Sequence, residues 1–304
     1  MINRRELLQS GAATVALASL PDWTFAGSDS LIKKAIPASG EKLPVIGLGT
    51  WQTFHVGADP AQRAPLREVL QAFFAADGTI VDSSPMYADA EAVAGDLVTE
   101  LGMQERMFAA TKVWTDGREA GIAQMERSMQ RLRVARMDLM QIHNLRDWRT
   151  HLPTLREWQA EGRIRYLGIT TSNPAQYEEF AAVMASEELD FVQLNYDVTM
   201  RRAEERLLPL AAERGMGVLV NRPFGGGNLF PRVRGRELPA WAAEFDCASW
   251  AQFFLKFVVS HPAVTCAIPA TSNPRHAIDN MGAGRGRLPD AEQRARMARL
   301  MTTL

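Results

Sequence analysis

Residues 107–143 read MFAATKVWTDGREAGIAQMERSMQRLRVARMDLMQIH. Two short apolar runs, Met107–Lys112 and Met137–His143, flank a segment in which Ile122, Met125, Met129 and Leu132 return at helical spacing and share one face. This is the pattern of two parallel strands joined by a helical crossover. The runs are continuously apolar rather than alternating, as strands covered on both faces are.

Working outward, the unit recurs. Comparable runs are Pro44–Gly49 and Thr79–Asp82 on the N-terminal side, and Ile164–Thr170, Asp190–Asn195, Gly217–Asn221 and Ala263–Pro269 on the C-terminal side. Leu66, Val69, Leu70, Phe73 and Phe74 make a second apolar helical stripe within residues 61–76. Eight strands alternating with helices predict an α/β fold, a parallel eight-stranded (β/α)8 TIM barrel, for which ~250 residues is typical. An open doubly wound sheet is the alternative. No linker, repeat or low-complexity tract divides residues 27–304, which read as one domain.

The first 26 residues differ in kind. Arg4-Arg5 precedes a weakly apolar run from Gly11 to Leu20 and a small-residue exit at Ala26. A basic start, an apolar stretch too short to span a bilayer and small residues after it make an export signal, here of the twin-arginine type. The expectation is delivery to the periplasm by the twin-arginine machinery. An ordinary amphipathic helix in a cytoplasmic protein is the alternative. No other stretch reads as membrane-spanning. A net charge of −1 and a pI near 6.5 leave no electrostatic footprint for nucleic acid. Cys247 and Cys266 have no metal-ligand spacing and allow at most one bridge; small buried core thiols are the simpler reading. With five histidines and none paired on a strand, a metal-dependent barrel hydrolase is a poor fit, and no metal is expected.

In a parallel barrel the loops after the strands form the active-site face. The second strand runs into Asp82-Ser83-Ser84-Pro85-Met86-Tyr87, the third ends in Lys112 and the fourth in His143. An acid, a phenol, an ammonium and an imidazole therefore converge. A phenol titrates near ~10 and is a sluggish acid; a nearby ammonium is expected to lower that value, while a carboxylate orients the ammonium. The set reads as a proton donor beside an electrostatic hole for a developing alkoxide. Singly, Asp82 could cap a helix, Lys112 could be a solvated strand end and His143 a core residue.

These residues sit within motifs that resemble the aldo-keto reductases. The motifs are Gly47-Leu48-Gly49-Thr50-Trp51, the D-x-x-x-x-Y of Asp82 to Tyr87, Thr111-Lys112-Val113-Trp114, Asp138 to His143, Gly168 to Asn173, Val192 to Tyr196 and Ile268-Pro269-Ala270-Thr271. The resemblance runs from about Lys42 to Asn280. It implies hydride transfer from NAD(P)H to the carbonyl of a small molecule, with Tyr87 as acid, Lys112 and Asp82 assisting, and His143 steering the oxygen. It also implies that Ser172, Asn173 and Gln193 hold the nicotinamide amide, and that Trp51 and Trp114, with Asn144, line the substrate pocket. Asp279 and Asn280 would meet the adenine, with Thr271 nearby.

The pattern departs in two places. The family commonly has a tyrosine at position 221 to stack on the nicotinamide; Asn221 cannot, and Phe224 is the substitute considered. Arg222, Phe224 and Gly225 open a glycine-rich turn suited to the cofactor's anionic part. Two cations that grip the 2′-phosphate of NADPH are replaced by Ala270 and His276, leaving Arg275. NADP stays favoured and NAD possible. A nucleotide-binding redox sensor or regulatory subunit with little turnover is the competing reading.

Overall fold

The computed structural model describes residues 30–304, so the expected leader, residues 1–26, lies outside the described residues. A hairpin of β1 (Lys33–Ala35) and β2 (Lys42–Pro44) comes first. Eight parallel strands follow: β3 (Leu48–Gly49), β4 (Ile80–Asp82), β5 (Phe108–Val113), β6 (Met137–His143), β7 (Ile164–Thr170), β8 (Phe191–Asn195), β9 (Gly217–Asn221) and β10 (Cys266–Ala267). Each pairs with the next, and isolated bridges Ile46↔Ala267 and Gly49↔Ala270 join the last to the first. The sheet is a closed (β/α)8 barrel rather than an open one.

All eight expected runs are strands, and the first and last are shorter than their sequence runs. Pro269 has no N–H to give a ladder, which ends the regular pairing of β10, although its carbonyl still accepts from Gly49 N–H at 3.0 Å. The helices around the barrel are α1 (Pro60–Ala75), α2 (Ala90–Glu100), α3 (Arg118–Leu132), α4 (Trp148–Ala160), α5 (Tyr177–Ser186), α6 (Leu207–Glu213), α7 (Leu229–Arg232), α8 (Trp250–Val259), α9 (Pro274–Gly282) and α10 (Ala291–Thr303). Both expected stripes are core faces: Leu66, Val69, Leu70, Phe73 and Phe74 are buried on α1, as are Met125 and Leu132 on α3, with Ile122 and Met129 packed beside them. Cys247 and Cys266 are buried and free. Among the described residues no helix is long and apolar enough to cross a membrane.

The barrel interior is a separate apolar cluster of Ile80, Phe108, Ala110, Leu139, Tyr166, Phe191, Leu219, Cys266 and Ile268, joined by Ile36 and Leu43 from the hairpin. The hairpin therefore plugs the end where the strands begin. Tyr166 ties it down by donating to Glu41 Oε2 at 2.7 Å and accepting from the Ser39 hydroxyl at 2.7 Å. Phe108, Tyr166 and Phe191 pack ring against ring, with centroids 6.1 Å and 5.5 Å apart for the first and last pairs in that order.

Room for Phe191 comes from two glycines. A Cβ on Gly217 would lie 2.6 Å from the Phe191 ring, and one on Gly168 would lie 2.5 Å from the Phe191 carbonyl oxygen. Overpacking of this kind costs about 1–3 kcal/mol. Gly217→Ala is expected to lower unfolding free energy by that amount in urea titration. Because the clash is with the ring, Gly217→Ala combined with Phe191→Leu should cost less than the two single losses added together. Strict additivity would place the strain elsewhere.

Candidate active site

Alternate residues of a strand face the same side, so the residues that continue the inward file past the apolar cluster are Asp82 on β4, Lys112 on β5, Gln141 and His143 on β6 and Gln193 on β8. All five are buried. Lys112 Nζ donates to Asp82 Oδ2 at 2.6 Å and to the Ser83 carbonyl at 2.6 Å. The other Asp82 oxygen accepts from Gln193 Nε2 at 2.9 Å and Gln141 Nε2 at 3.2 Å. Thr50, on the loop after β3, donates to Ser83 Oγ at 2.9 Å and fixes the turn that leads to Tyr87.

Tyr87 stands over this pair. Lys112 Nζ lies 5.4 Å from its ring centroid, and the His143 ring meets it edge-on at 5.9 Å. Ser84 Oγ is 3.0 Å from His143 Nδ1 and accepts from Met86 N–H at 3.2 Å. A cavity of about 390 Å³ opens above them, its wall including Asp82, Tyr87, His143, Trp51 and Met86. The convergence expected of Asp82, Tyr87, Lys112 and His143 is present in the fold.

The electrostatics correct one expectation. Burial pushes the Tyr87 phenol up, and this outweighs the lowering by Lys112, so the resting phenol is held protonated. Burial also works against the Lys112 ammonium, but Asp82 and Tyr87 more than offset it and its pKa is raised. His143 is pushed down to about 3, by burial first and by Lys112 second, and is therefore a neutral imidazole.

A model of the Aldo/keto reductase family matches residues 45–300. The chain belongs to this family and is an NAD(P)H-dependent reductase. It is 29% identical over 268 residues to methylglyoxal reductase YeaE of Escherichia coli, covering 86% of this chain and 92% of that one. An aldo-keto reductase of Mycolicibacterium smegmatis is 26% identical over 254 residues, with 79% and 84% covered. The Klebsiella pneumoniae aldo/keto reductase, solved with NADP and acetate, superposes with a TM-score of 0.74 at 26% identity, covering 88% of this chain and 95% of its own.

The remaining positions implied by the aldo-keto reductase resemblance divide in two. Ser172, Gln193, Asn144, Trp51, Arg222 and Phe224 line the cavity. Trp114 is not part of that wall: its ring lies under Arg146, whose Cζ is 4.8 Å from its centroid. Asn173 spends its Oδ1 on capping Ala175 N–H at 3.0 Å. Gly225, at φ 60°, belongs to the turn but does not face the cavity. Thr271, Arg275, Asp279 and Asn280 lie outside the wall, toward and along α9. Asp279 is engaged by α8, accepting from Ser249 Oγ at 2.7 Å and Gln252 Nε2 at 2.8 Å. Asn280 is buried. Sequence reading missed Gln141, Ser84, Met86 and Phe230. Gln141 was legible, because it stands two residues before His143 and so faces the same way.

The neutral His143 has a consequence for stability. Its folded pKa of about 3 lies below the ordinary value of 6.5, so between these the unfolded chain binds a proton that the fold refuses. That contribution is complete above pH ~6.5 and is lost as pH falls, at up to about 1.4 kcal/mol per pH unit. His261, lowered to about 4 by burial and Arg294, acts in the same sense. His143→Gln is expected to lose less stability than the parent between pH 7 and 4.5 in urea unfolding. Equal losses in both proteins would mean that His143 is charged in the fold.

Proposed function

We propose that this protein reduces an aldehyde or ketone to the alcohol with NADPH, and that Tyr87 is the proton donor. The observation that carries the reading is the protonated Tyr87 phenol over a buried Lys112–Asp82 pair, with neutral His143 beside it at one cavity.

The cavity wall suits a nicotinamide nucleotide. Asn221 Oδ1 is a buried acceptor without a partner among the described residues, next to Gln193, and Ser172 lines the same space. Gly226 and Gly227 both have positive φ and open space where a Cβ would stand, so their backbone is accessible to a phosphate group. Arg275 lies in the first turn of α9, where the helix end and a guanidinium together favour an anion such as a 2′-phosphate. Ala270 offers no such charge, which leaves room for NAD, but Arg275 keeps NADP the favoured cofactor. The bound dihydronicotinamide supplies the hydride that goes to the carbonyl carbon.

The chain's own residues handle the oxygen. Tyr87 O–H donates its proton as negative charge develops there, and the Lys112 ammonium then stabilises the phenolate left behind. Asp82 keeps that ammonium in place. Ser84 Oγ accepts from Met86 N–H and, on this proposal, gives its own proton to His143 Nδ1, the arrangement that leaves the imidazole proton on Nε2. A neutral Nε2–H is a donor to the substrate oxygen and cannot compete with Tyr87 as the acid. The leader pattern of residues 1–26 supports a periplasmic location; fractionation of cells expressing the full chain would test it, with all activity in the cytoplasm as the contrary result.

General acid catalysis is worth ~10²–10⁴-fold. Tyr87→Phe is expected to reduce kcat for an aldehyde by at least about a hundredfold while the NADPH Kd, read by fluorescence titration, changes little. A variant that keeps most of its turnover would remove Tyr87 from this role.

A further inference from the structure

One charged side chain on the cavity wall has no part in the proton chemistry. Asp82 is neutralised by Lys112, and His143 carries no charge. Arg222, on the loop leaving β9, has neither an ion pair nor a hydrogen bond from its guanidinium among the described residues. Its Cζ stands 4.9 Å from the centroid of the Trp51 ring, a face that holds a guanidinium without neutralising it. Its backbone lies at φ 49°, in the left-handed region that side-chain-bearing residues rarely adopt. A strained backbone that presents an unpaired cation to a cavity points to a ligand clamp.

The rim around it is apolar. Met86 at 45% exposure and Phe230 at 39% are the large hydrophobic side chains most open to solvent among the described residues, and both line this cavity. The charge of Arg222 also acts on the Tyr87 phenol. An anion held by Arg222 is thus only a short chain away from a carbonyl oxygen that meets Tyr87.

We propose that Arg222 binds a carboxylate on the substrate, so that the preferred substrates are small oxo acids whose carbonyl and carboxylate are separated by a short apolar spacer. This rests on carbonyl reduction at Tyr87 and specifies which carbonyls are selected. A guanidinium meets a carboxylate through two parallel hydrogen bonds, which fixes the orientation of the spacer as well as its charge. The earlier expectation placed Arg222 against the cofactor, whose phosphates share this anionic chemistry, so the test must separate the two.

The test compares 4-oxobutanoate with butanal, which match in chain length, using NADPH and the parent, Arg222→Gln and Arg222→Lys proteins. The parent is expected to favour the oxo acid in kcat/KM by tenfold or more. Arg222→Gln should reduce that preference at least tenfold, chiefly through KM, and Arg222→Lys should fall between because an ammonium lacks the fork. In parallel, calorimetric titration of the NADP⁺ complex with butanoate should show binding that Arg222→Gln abolishes, while the NADPH Kd stays within about twofold. A parent without preference for the oxo acid overturns the proposal. So does an Arg222→Gln protein in which both substrates lose equally and the NADPH Kd weakens tenfold, since the guanidinium would then serve a nucleotide phosphate. If neither compound is reduced, the proposed carbonyl reduction fails for both substrates separately, and butanoate binding still decides the role of Arg222: loss in Arg222→Gln supports it, and no binding to the parent overturns it.

Discussion

The site depends on a buried ion pair. Lys112 is fully buried and Asp82 nearly so, with Nζ and Oδ2 2.6 Å apart. Removing two charges from water costs several kcal/mol per ion, and attraction repays it only when the remaining hydrogen-bonding capacity is also met. Here it is met. The ammonium has a second acceptor in the Ser83 carbonyl, and the carboxylate's other oxygen has two amide donors, Gln193 and Gln141. Removing either partner would leave an uncompensated charge inside the barrel, so the pair constrains β4, β5, β6 and β8 together.

That constraint orders the barrel from one end to the other. At the end closed by the hairpin the inward residues are aromatic and aliphatic, and they bring the strands together without specifying chemistry. At the open end the same inward file turns polar. Phe108 and Ala110 give way to Lys112, Leu139 to Gln141 and His143, and Phe191 to Gln193. The apolar half supplies burial, which is roughly proportional to area and tolerant of detail. The polar half is intolerant, because every member of a buried network needs its partner.

Much of this was legible in the sequence. The eight runs and their intervening stripes gave the barrel, because apolar periodicity is a local signal. The convergence of Asp82, Tyr87, Lys112 and His143 was legible because strand ends in a parallel barrel share a face. Two kinds of feature stayed hidden. Ile36 and Leu43 look like ordinary loop residues, and only the fold shows that they close the barrel interior. Trp114 and Asp279 stand at positions the resemblance implies, yet Arg146 covers the Trp114 ring and Ser249 and Gln252 engage the Asp279 carboxylate. Pairing of that sort depends on neighbours distant in sequence, which a motif does not encode.

The direction of the Tyr87 shift changes how the lysine is understood. Sequence reasoning assigned Lys112 the task of making the resting phenol more acidic, but burial dominates and the phenol is held more firmly protonated. A proton donor gains from this before the reaction, since it is fully loaded at neutral pH. In the reaction proposed for Tyr87 the ammonium matters later, when the proton has gone to the nascent alkoxide and a phenolate remains in a poorly hydrated pocket. An opposite charge positioned in advance lowers the energy of that state far more than it lowers the resting one, because the neutral phenol has little charge to attract. On that proposal Lys112 and Asp82 act on the difference between the two states, and such a difference is what sets a rate.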